Sequence, residues 1–163
     1  MSAALLRAID PAPVAWAAAV GSALEQVAST ALELPVTRIG AVGAPEGPVL
    51  GAYIAVLTPG ESLQIGIVAD AASSETLVRA LLRIAESDEL APGDVPDAFG
   101  EIANMVGGVA KAAMSVQFGV VGLGLPLVTT GLIAAREGIE LGYEAVEVGA
   151  ARVTLVVARS RPR

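Results

Sequence analysis

The longest uncharged stretch of the chain lies between Lys111 and Arg136, and it limits the possible folds more than any other feature. By length it suits a membrane-spanning helix, which needs about 20 apolar residues. The stretch is nevertheless rich in valine and is interrupted by several helix-breaking residues, namely Gly119, Gly122, Gly124, Pro126 and Gly131. This composition is typical of strands joined by a turn. We therefore expect strands here and no membrane insertion.

The N-terminal residues lack the pattern of a secretory signal peptide. The positive region before the apolar residues consists of Arg7 alone, Asp10 interrupts those residues, and Glu25 follows at helical spacing. We therefore expect a cytoplasmic protein. A length of 163 residues suits one hydrophobic core, so residues 1–163 are predicted to form a single domain.

The composition excludes several kinds of chemistry. The chain has neither cysteine nor histidine, which removes disulfides, thiol nucleophiles, the usual zinc sites and every catalytic pair built on histidine. Any enzymatic reaction must therefore use carboxylates, amides, hydroxyls or groups that a partner supplies. The net charge of −7 and the aromatic content of 3% also argue against a nucleic-acid partner.

Hydrophobic periodicity divides the first half of the chain into two helices and three strands. The first helix is predicted over about Val14 to Leu32, and Pro35 ends it. The second is predicted over residues 73–87, with Ser73 or Ser74 as its N-cap. Three strands are predicted between the two helices, over Val36–Val42, Val49–Leu57 and Leu63–Val68.

The second half is predicted to contain one long helix and four strands. The helix has Asp94 as its N-cap and Pro96 in its first turn, and it runs to about Met114. Two buried strands are predicted over Val116–Leu123 and Leu127–Leu132, and the two arms of a hairpin are predicted at residues 143–148 and 152–159. Because tight turns join most neighbouring strands, we expect an α/β (α+β) sandwich with helices packed on a mixed or antiparallel sheet.

The long helix carries chemically distinctive residues along one predicted face. Its buried stripe is predicted to contain Phe99, Ile102, Met105, Val106, Val109 and Ala113. The opposite face is predicted to carry Asp97, Glu101, Asn104, Gly108 and Lys111 at steps of three or four residues. Gly100 and Gly107 flank that line, so we expect all three glycines to clear space on the exposed face.

Two interpretations of this face remain open. Either it is a solvated charged face whose glycines are tolerated, or another backbone approaches it and the side chains of Glu101 and Asn104 project into that partner. Each mid-helix glycine costs about 0.8–1 kcal/mol relative to alanine. Asn104 is the only asparagine of the chain, and it occupies a mid-helix position where asparagine is a poor helix former.

An acid and an amide at this spacing suit the hydrolysis of a phosphoryl group. A carboxamide has one acceptor and two donors and can hold a water in a fixed orientation, and positioning of water is a recurring device in phosphoryl transfer. The chain has no phosphate-binding GxxxxGK[ST] loop. Asp97 and Glu101 alone would also make a poor Mg²⁺ site. The metal and the electrophile are therefore expected on a partner protein.

The spacing in residues 97–126 resembles the signature of the CheC/CheX/FliY family of chemotaxis phosphatases. In that signature an acid or serine is followed after three residues by glutamate, after two more by asparagine, and after 21 more by proline. The matching residues are Asp97, Glu101, Asn104 and Pro126. Since the chain has a single asparagine, it can carry only one Glu-x-x-Asn motif, and it is most similar to CheX.

The resemblance implies a phosphatase that removes the aspartyl phosphate of a CheY-like response regulator. By similarity, Glu101 would pair with the active-site lysine of the receiver domain, and Asn104 would enter the receiver's site and align the attacking water. Asp97 would support the start of the helix or the contact, and Pro126 would shape a loop.

The resemblance also bears on the remaining groups and on the assembly. Gly100, Gly107 and Gly108 would let the receiver's loops approach, and Lys111 would support the contact. The protein would need no cofactor of its own, because the receiver supplies Mg²⁺. A homodimer formed through the sheets would be expected.

Two alternatives stay open at the level of sequence. One is a non-catalytic receiver-binding adaptor related to flagellar-switch proteins, which would use the same helix without shortening the lifetime of the phosphate. The other is a purely structural dimerising domain.

Overall fold

The computed structural model of the chain describes residues 11–58, 61–119 and 121–160. The three α-helices are α1 (Pro11–Val27), α2 (Ala71–Leu82) and α3 (Asp94–Phe118), and α1 continues as a π-helical turn over Ala28–Leu32. The seven strands are β1 (Val36–Ala41), β2 (Val49–Thr58), β3 (Glu61–Ala69), β4 (Gly122–Leu123), β5 (Leu127–Gly131), β6 (Ile139–Val148) and β7 (Ala151–Ser160).

All seven strands form one antiparallel sheet. The strand order is β1-β6-β7-β3-β2-β4, and β5 also pairs with β2. Because β3 pairs along nearly the whole of β2, β4 and β5 share the other side of that strand and together form one edge of the sheet. The predicted α/β fold with helices on an antiparallel sheet is confirmed.

The three helices cover one face of the sheet, and the main core lies between the two layers. Side chains alternate along each strand, so Ala52, Ile54 and Val56 of β2 point into this core with Trp16 and Phe99. The opposite face carries a smaller apolar cluster in which Tyr53, Ile133, Leu141 and Tyr143 pack on Val49, Val68 and Val156. The segment 132–138 crosses to β6 without helix or strand structure.

The first helix forms where periodicity predicts it, with different details at its ends. It begins at Pro11 and therefore earlier than predicted. Trp16 is buried, and its ring stacks on that of Phe118 with a centroid distance of 6.3 Å. The helix ends when Glu33 adopts the left-handed conformation at φ 55°, directly before the two residues that precede β1.

The second helix is shorter than predicted and has a different cap. The carboxylate of Asp70 accepts a hydrogen bond of 2.7 Å from the backbone N–H of Ser73, so Asp70 is the N-cap and the assignment to Ser73 or Ser74 is wrong. The helix ends at Leu82 because Arg83 turns left-handed at φ 57°. Residues 83–87, which were predicted to be helical, lie outside it.

The third helix is longer than predicted at its C-terminal end. It continues past Met114 to Phe118, so residues 116–118, which were predicted to begin a strand, form its last turn. Its N-cap is Gly93 rather than Asp94, while the Asp94 carboxylate accepts a hydrogen bond of 2.8 Å from the N–H of Ala91.

The edge strands and the final hairpin complete the sheet. Of the two strands predicted as buried, the first is reduced to Gly122–Leu123, and the second is β5, which is mostly exposed because it lies at an edge. The predicted hairpin is confirmed, with Val148 paired to Ala151 across a two-residue turn at Gly149 and Ala150. Among the described helices, none has both the length and the apolar character required to cross a membrane.

Candidate functional site

The predicted exposed line of α3 is confirmed. Asp97, Glu101, Asn104, Gly108 and Lys111 are all exposed, and they lie on one side of the helix because they follow each other at steps of three or four residues. We call this line the α3 ridge. Of the residues predicted to be buried, Phe99, Ile102 and Val106 are buried, Met105 and Val109 are half-buried, and Ala113 is exposed.

Gly100 and Gly107 are buried, so the prediction that they clear space on the exposed face is wrong. A β-carbon added at Gly100 would lie 3.0 Å from Cγ2 of Val128, and one added at Gly107 would lie 2.9 Å from Cδ1 of Ile54. Both glycines therefore let α3 pack closely against β2 and β5. Their absent side chains serve the contact between the helix and the sheet.

Gly108 differs from the two buried glycines. It is exposed, and a β-carbon added there would have no heavy atom within 4 Å. Packing inside the described part of the molecule therefore gives no reason for a glycine at this position. The prediction that Gly108 leaves room for a partner stays a prediction, and this open space is compatible with it.

The two buried glycines fix the position of Asn104 relative to the edge of the sheet. Asn104 follows Gly100 by four residues and precedes Gly107 by three, so it neighbours both on the helix surface, with the glycines against the sheet and Asn104 exposed. Gly100 faces Val128 of β5, and Gly107 lies within reach of Leu123 of β4. The segment between β4 and β5 is therefore level with Asn104 along the helix.

That segment is a β-bulge in the edge of the sheet. Leu123 pairs with Val56, and Leu127 pairs with Tyr53, so the three residues 124–126 stand opposite only two residues of β2. The N–H of Gly124 still donates to the carbonyl of Ala55 at 2.9 Å. Pro126 lies where the pairing between β2 and the edge strands is interrupted. A residue without a backbone N–H therefore costs no inter-strand hydrogen bond there. The predicted role of Pro126 in shaping a loop agrees with this position.

The functional groups of Glu101 and Asn104 are directed to solvent. Within the described residues, neither side chain has a hydrogen bond or an ion pair to another part of the chain. Asp97 lies in the first turn of α3, where a negative charge interacts favourably with the helix dipole. This position agrees with its predicted role in supporting the helix start.

The ridge cannot hold a phosphate or a metal ion by itself. No three side chains of the metal-binding types cluster anywhere in the described residues. The only cation on the ridge is Lys111, and ten residues separate it from Glu101, which corresponds to about 15 Å along a helix. The chemistry of its carboxamide lets Asn104 orient a water molecule, and the supply of the electrophile and its counter-charge by a partner stays a prediction.

One residue of this neighbourhood was not predicted from the sequence. Leu125 lies in the bulge beside Pro126 and is 92% exposed. The sequence had a usable signal, because Gly124 and Pro126 bracket the leucine between two predicted strands, and glycine or proline at such a position often marks a bulge.

One cleft of the described surface lies away from the α3 ridge. A cleft of about 430 Å³ on the sheet face opposite the helices is lined by Tyr53, Leu141 and Val156, among others, and by no ridge residue. Burial raises the pKa of Tyr53 above its usual value of 10, and the nearby Tyr143 raises it further.

Comparisons with known proteins agree with the resemblance found in the sequence. The family model of the chemotaxis phosphatase CheX matches residues 52–137, which is just over half of the 163 residues. The matched range includes α3, β4 and β5. No curated protein matches the chain in sequence.

Several solved structures share the fold at low sequence identity. A chemotaxis protein CheX from Desulfovibrio desulfuricans has 18% identity and a TM-score of 0.73, with 89% of this chain and 99% of that chain covered. The CheX-CheY-BeF3-Mg+2 complex from Borrelia burgdorferi matches with 11% identity and a TM-score of 0.65 over 91% and 97% of the two chains. FliY from Thermotoga maritima matches with 17% identity and a TM-score of 0.63 over 87% and 84%.

Proposed function

Because the chain belongs to the chemotaxis phosphatase CheX family, we propose that it hydrolyses the aspartyl phosphate of a CheY-like response regulator. One observation carries the proposal. The chain's only asparagine projects from the middle of α3 into solvent, without a hydrogen-bond partner among the described residues. An exposed mid-helix asparagine contributes little to folding, so its amide is available to a second molecule.

In the proposed reaction, Asn104 acts by positioning water. Its carboxamide accepts from and donates to a water held in line with the scissile bond. The water oxygen bonds to phosphorus while the bond between phosphorus and the aspartyl oxygen breaks. The receiver's carboxylate leaves as an anion, and the phosphate formed takes up the water's proton. The Mg²⁺ of the receiver domain would neutralise charge on the phosphoryl oxygens.

The other ridge residues would serve docking. Glu101 lies one turn before Asn104, close enough to pair with a lysine beside the receiver's phosphorylation site. Gly108 lies one turn after Asn104 and offers no side chain to obstruct the receiver's backbone. Asp97 and Lys111 lie at the two ends of the ridge, where they would contact the rim of the interface.

We also propose that the protein is a homodimer, as the family resemblance implies. The sheet has two edges, and the candidate site adjoins the edge formed by β4 and β5. The opposite edge is β1, which pairs only with β6. Pairing of two chains along β1 would leave both α3 ridges accessible. Light scattering coupled to size exclusion would test the assembly.

Measurement of phosphate loss from a phosphorylated receiver domain tests the proposed function. The parent protein should shorten the lifetime of the aspartyl phosphate, and Asn104→Ala should lose roughly 10²–10³-fold of the stimulated rate, or about 2.7–4 kcal/mol. Gln117→Ala is a matched control, since it removes another exposed carboxamide from the same helix. An Asn104→Ala protein as active as the parent would refute the proposal.

The adaptor alternative uses the same exposed α3 ridge for binding alone. An adaptor would bind the receiver in a phosphorylation-dependent way and leave the lifetime of the phosphate unchanged. The same experiment separates the two functions when binding and phosphate loss are followed on one sample.

A further inference from the structure

Leu125 is the most exposed large apolar side chain in the described part of the chain, at 92%. It lies in the β-bulge between β4 and β5, the segment that is level with Asn104. Two further exposed leucines lie nearby, Leu57 in β2 and Leu127 in β5, but they project from the sheet face opposite the helices, as Tyr53 does. The apolar surface considered beside the α3 ridge is therefore that of Leu125 itself, in the bulge.

We propose that Leu125 is a positioning residue for the phosphorylated receiver domain, which it contacts through an apolar surface beside the aspartyl phosphate. The contact would add binding energy beside the Asn104 carboxamide and would leave the chemical step itself unchanged. This inference rests on the proposed function and adds to it a docking residue outside the Glu-x-x-Asn motif.

The short reach of asparagine is the first argument for this partner. The carboxamide is attached through a single methylene group, so a receiver that admits it must approach α3 to within a few ångströms. Gly100 and Gly107 bring α3 down onto the edge strands. A receiver domain that comes this close to Asn104 therefore also covers the neighbouring bulge, which contains the exposed Leu125.

The composition of the ridge is the second argument. A specific interface buries about 800 Å² on each partner, which is more than a row of two acids, one amide, one lysine and one glycine can supply. Binding energy in interfaces concentrates in a few large side chains near the centre. The ridge itself contains no such side chain, and Leu125 provides one at the level of the reacting group.

The absence of charge in this segment is the third argument. No charged residue occurs between Lys111 and Arg136, so the edge beside Asn104 attracts no ionic partner of its own. The acidic groups that face a receiver's lysine are confined to the ridge, at Asp97 and Glu101. The receiver domain would thus make ionic contacts with the helix and apolar contacts with the sheet edge.

The test compares Leu125→Ser with two variants. Leu125→Met keeps an apolar side chain of similar size at the bulge. Leu132→Ser removes another exposed leucine, which is 73% exposed and seven residues further along the edge segment, or at most about 23 Å in extended chain. Affinity is measured against a receiver domain carrying beryllium fluoride and Mg²⁺, and turnover against the phosphorylated receiver.

We expect Leu125→Ser to raise both Kd and KM by about tenfold, with kcat changed by less than about twofold. Leu125→Met should behave almost as the parent does, and Leu132→Ser should leave all three constants unchanged. The thermal midpoint of Leu125→Ser should equal that of the parent, because the side chain is exposed. A loss of kcat at constant KM, or parental values for Leu125→Ser, would overturn the inference.

The failure of this inference is distinguishable from failure of the proposed function. If Asn104→Ala is inactive while Leu125→Ser matches the parent, the phosphatase activity is supported and the docking role of Leu125 is refuted. If Asn104→Ala is fully active while Leu125→Ser still weakens binding, the catalytic proposal falls and the docking surface stands. If no receiver binds, both fall.

Discussion

Gly107 of α3 lies directly above Ile54 of β2, so that a β-carbon on the glycine would come within 2.9 Å of Cδ1 of the isoleucine. Ile54 is buried in the main core. The bare position in the helix therefore sets how closely α3 approaches the sheet, and with it the height of Asn104 above the edge strands.

Gly107→Ala tests this relationship as a double-mutant cycle with Ile54→Val. The alanine gains about 1 kcal/mol of helix propensity and loses about 1–3 kcal/mol through overpacking against Ile54, so we expect a protein no more stable than the parent. Valine lacks the Cδ1 atom, and it should relieve the overpacking. Denaturant unfolding should give a favourable coupling energy of about 0.5–3 kcal/mol.

A cycle with no coupling would show that the helix moves away from Ile54 at little cost. In that event the distance between α3 and β2 is not fixed by this pair, and Gly107 has no packing reason to be glycine.

Gly108→Ala should separate folding from partner binding. The added β-carbon meets no heavy atom within 4 Å, so alanine should stabilise the protein by roughly 0.8–1 kcal/mol through helix propensity. If a receiver backbone packs against this position, the same variant should bind the receiver less tightly. Thermal unfolding and a binding titration on one preparation provide both values. Greater stability with parental affinity would remove Gly108 from the docking surface.

Glu101 should contribute to docking through its charge. The side chain is exposed and forms no ion pair within the described residues, so its substitution should leave the free energy of unfolding nearly unchanged. We expect Glu101→Gln to weaken receiver binding roughly five- to tenfold and Glu101→Lys to weaken it further, because a like charge would face the receiver's lysine.

The salt dependence of binding provides the internal check for Glu101. The affinity of the parent should fall with added salt, and that of Glu101→Gln should fall less. Glu89→Gln, at an exposed acid outside the ridge, is the matched control. Equal salt dependence in all three proteins would exclude an ionic role for Glu101.

Periodicity alone predicted the residues that project from α3, because the helix is long and one side of it is polar. Asp97, Glu101, Asn104 and Lys111 are exposed as expected. The same helical wheel placed Gly100 and Gly107 on the wrong side. A glycine carries no hydrophobic signal, so the sequence pattern could not distinguish a bare position facing solvent from one pressed against a sheet.

The end of α3 and the edge strands were harder to predict for a related physical reason. Residues 116–118 are β-branched or aromatic at two of three positions, which favours a strand locally, yet the stacking of Phe118 on Trp16 of α1 belongs to the last turn of the helix. Similarly, valine in β5 suggested a buried strand, although its place at the sheet edge depends on pairing with β2. Both outcomes are decided by contacts distant in sequence.

The sheet face opposite the helices should become less stable at high pH. Burial and the neighbouring Tyr143 raise the pKa of Tyr53 above 10, and burial raises that of Tyr143. The folded state therefore holds these phenolic protons more tightly than the unfolded state does. This contribution to stability is fully present below pH 10 and is lost as the pH rises through the folded-state pKa values.

Because the chain contains only two tyrosines, absorbance titration of phenolate in native and denatured protein measures both shifts. We expect native midpoints above the denatured value of about 10, and Tyr53→Phe should lose less stability than the parent above that pH. Tyr143→Phe should lower the midpoint of Tyr53, since it removes the charge that opposes its ionisation. Coincident native and denatured titrations would show that this face is open to water.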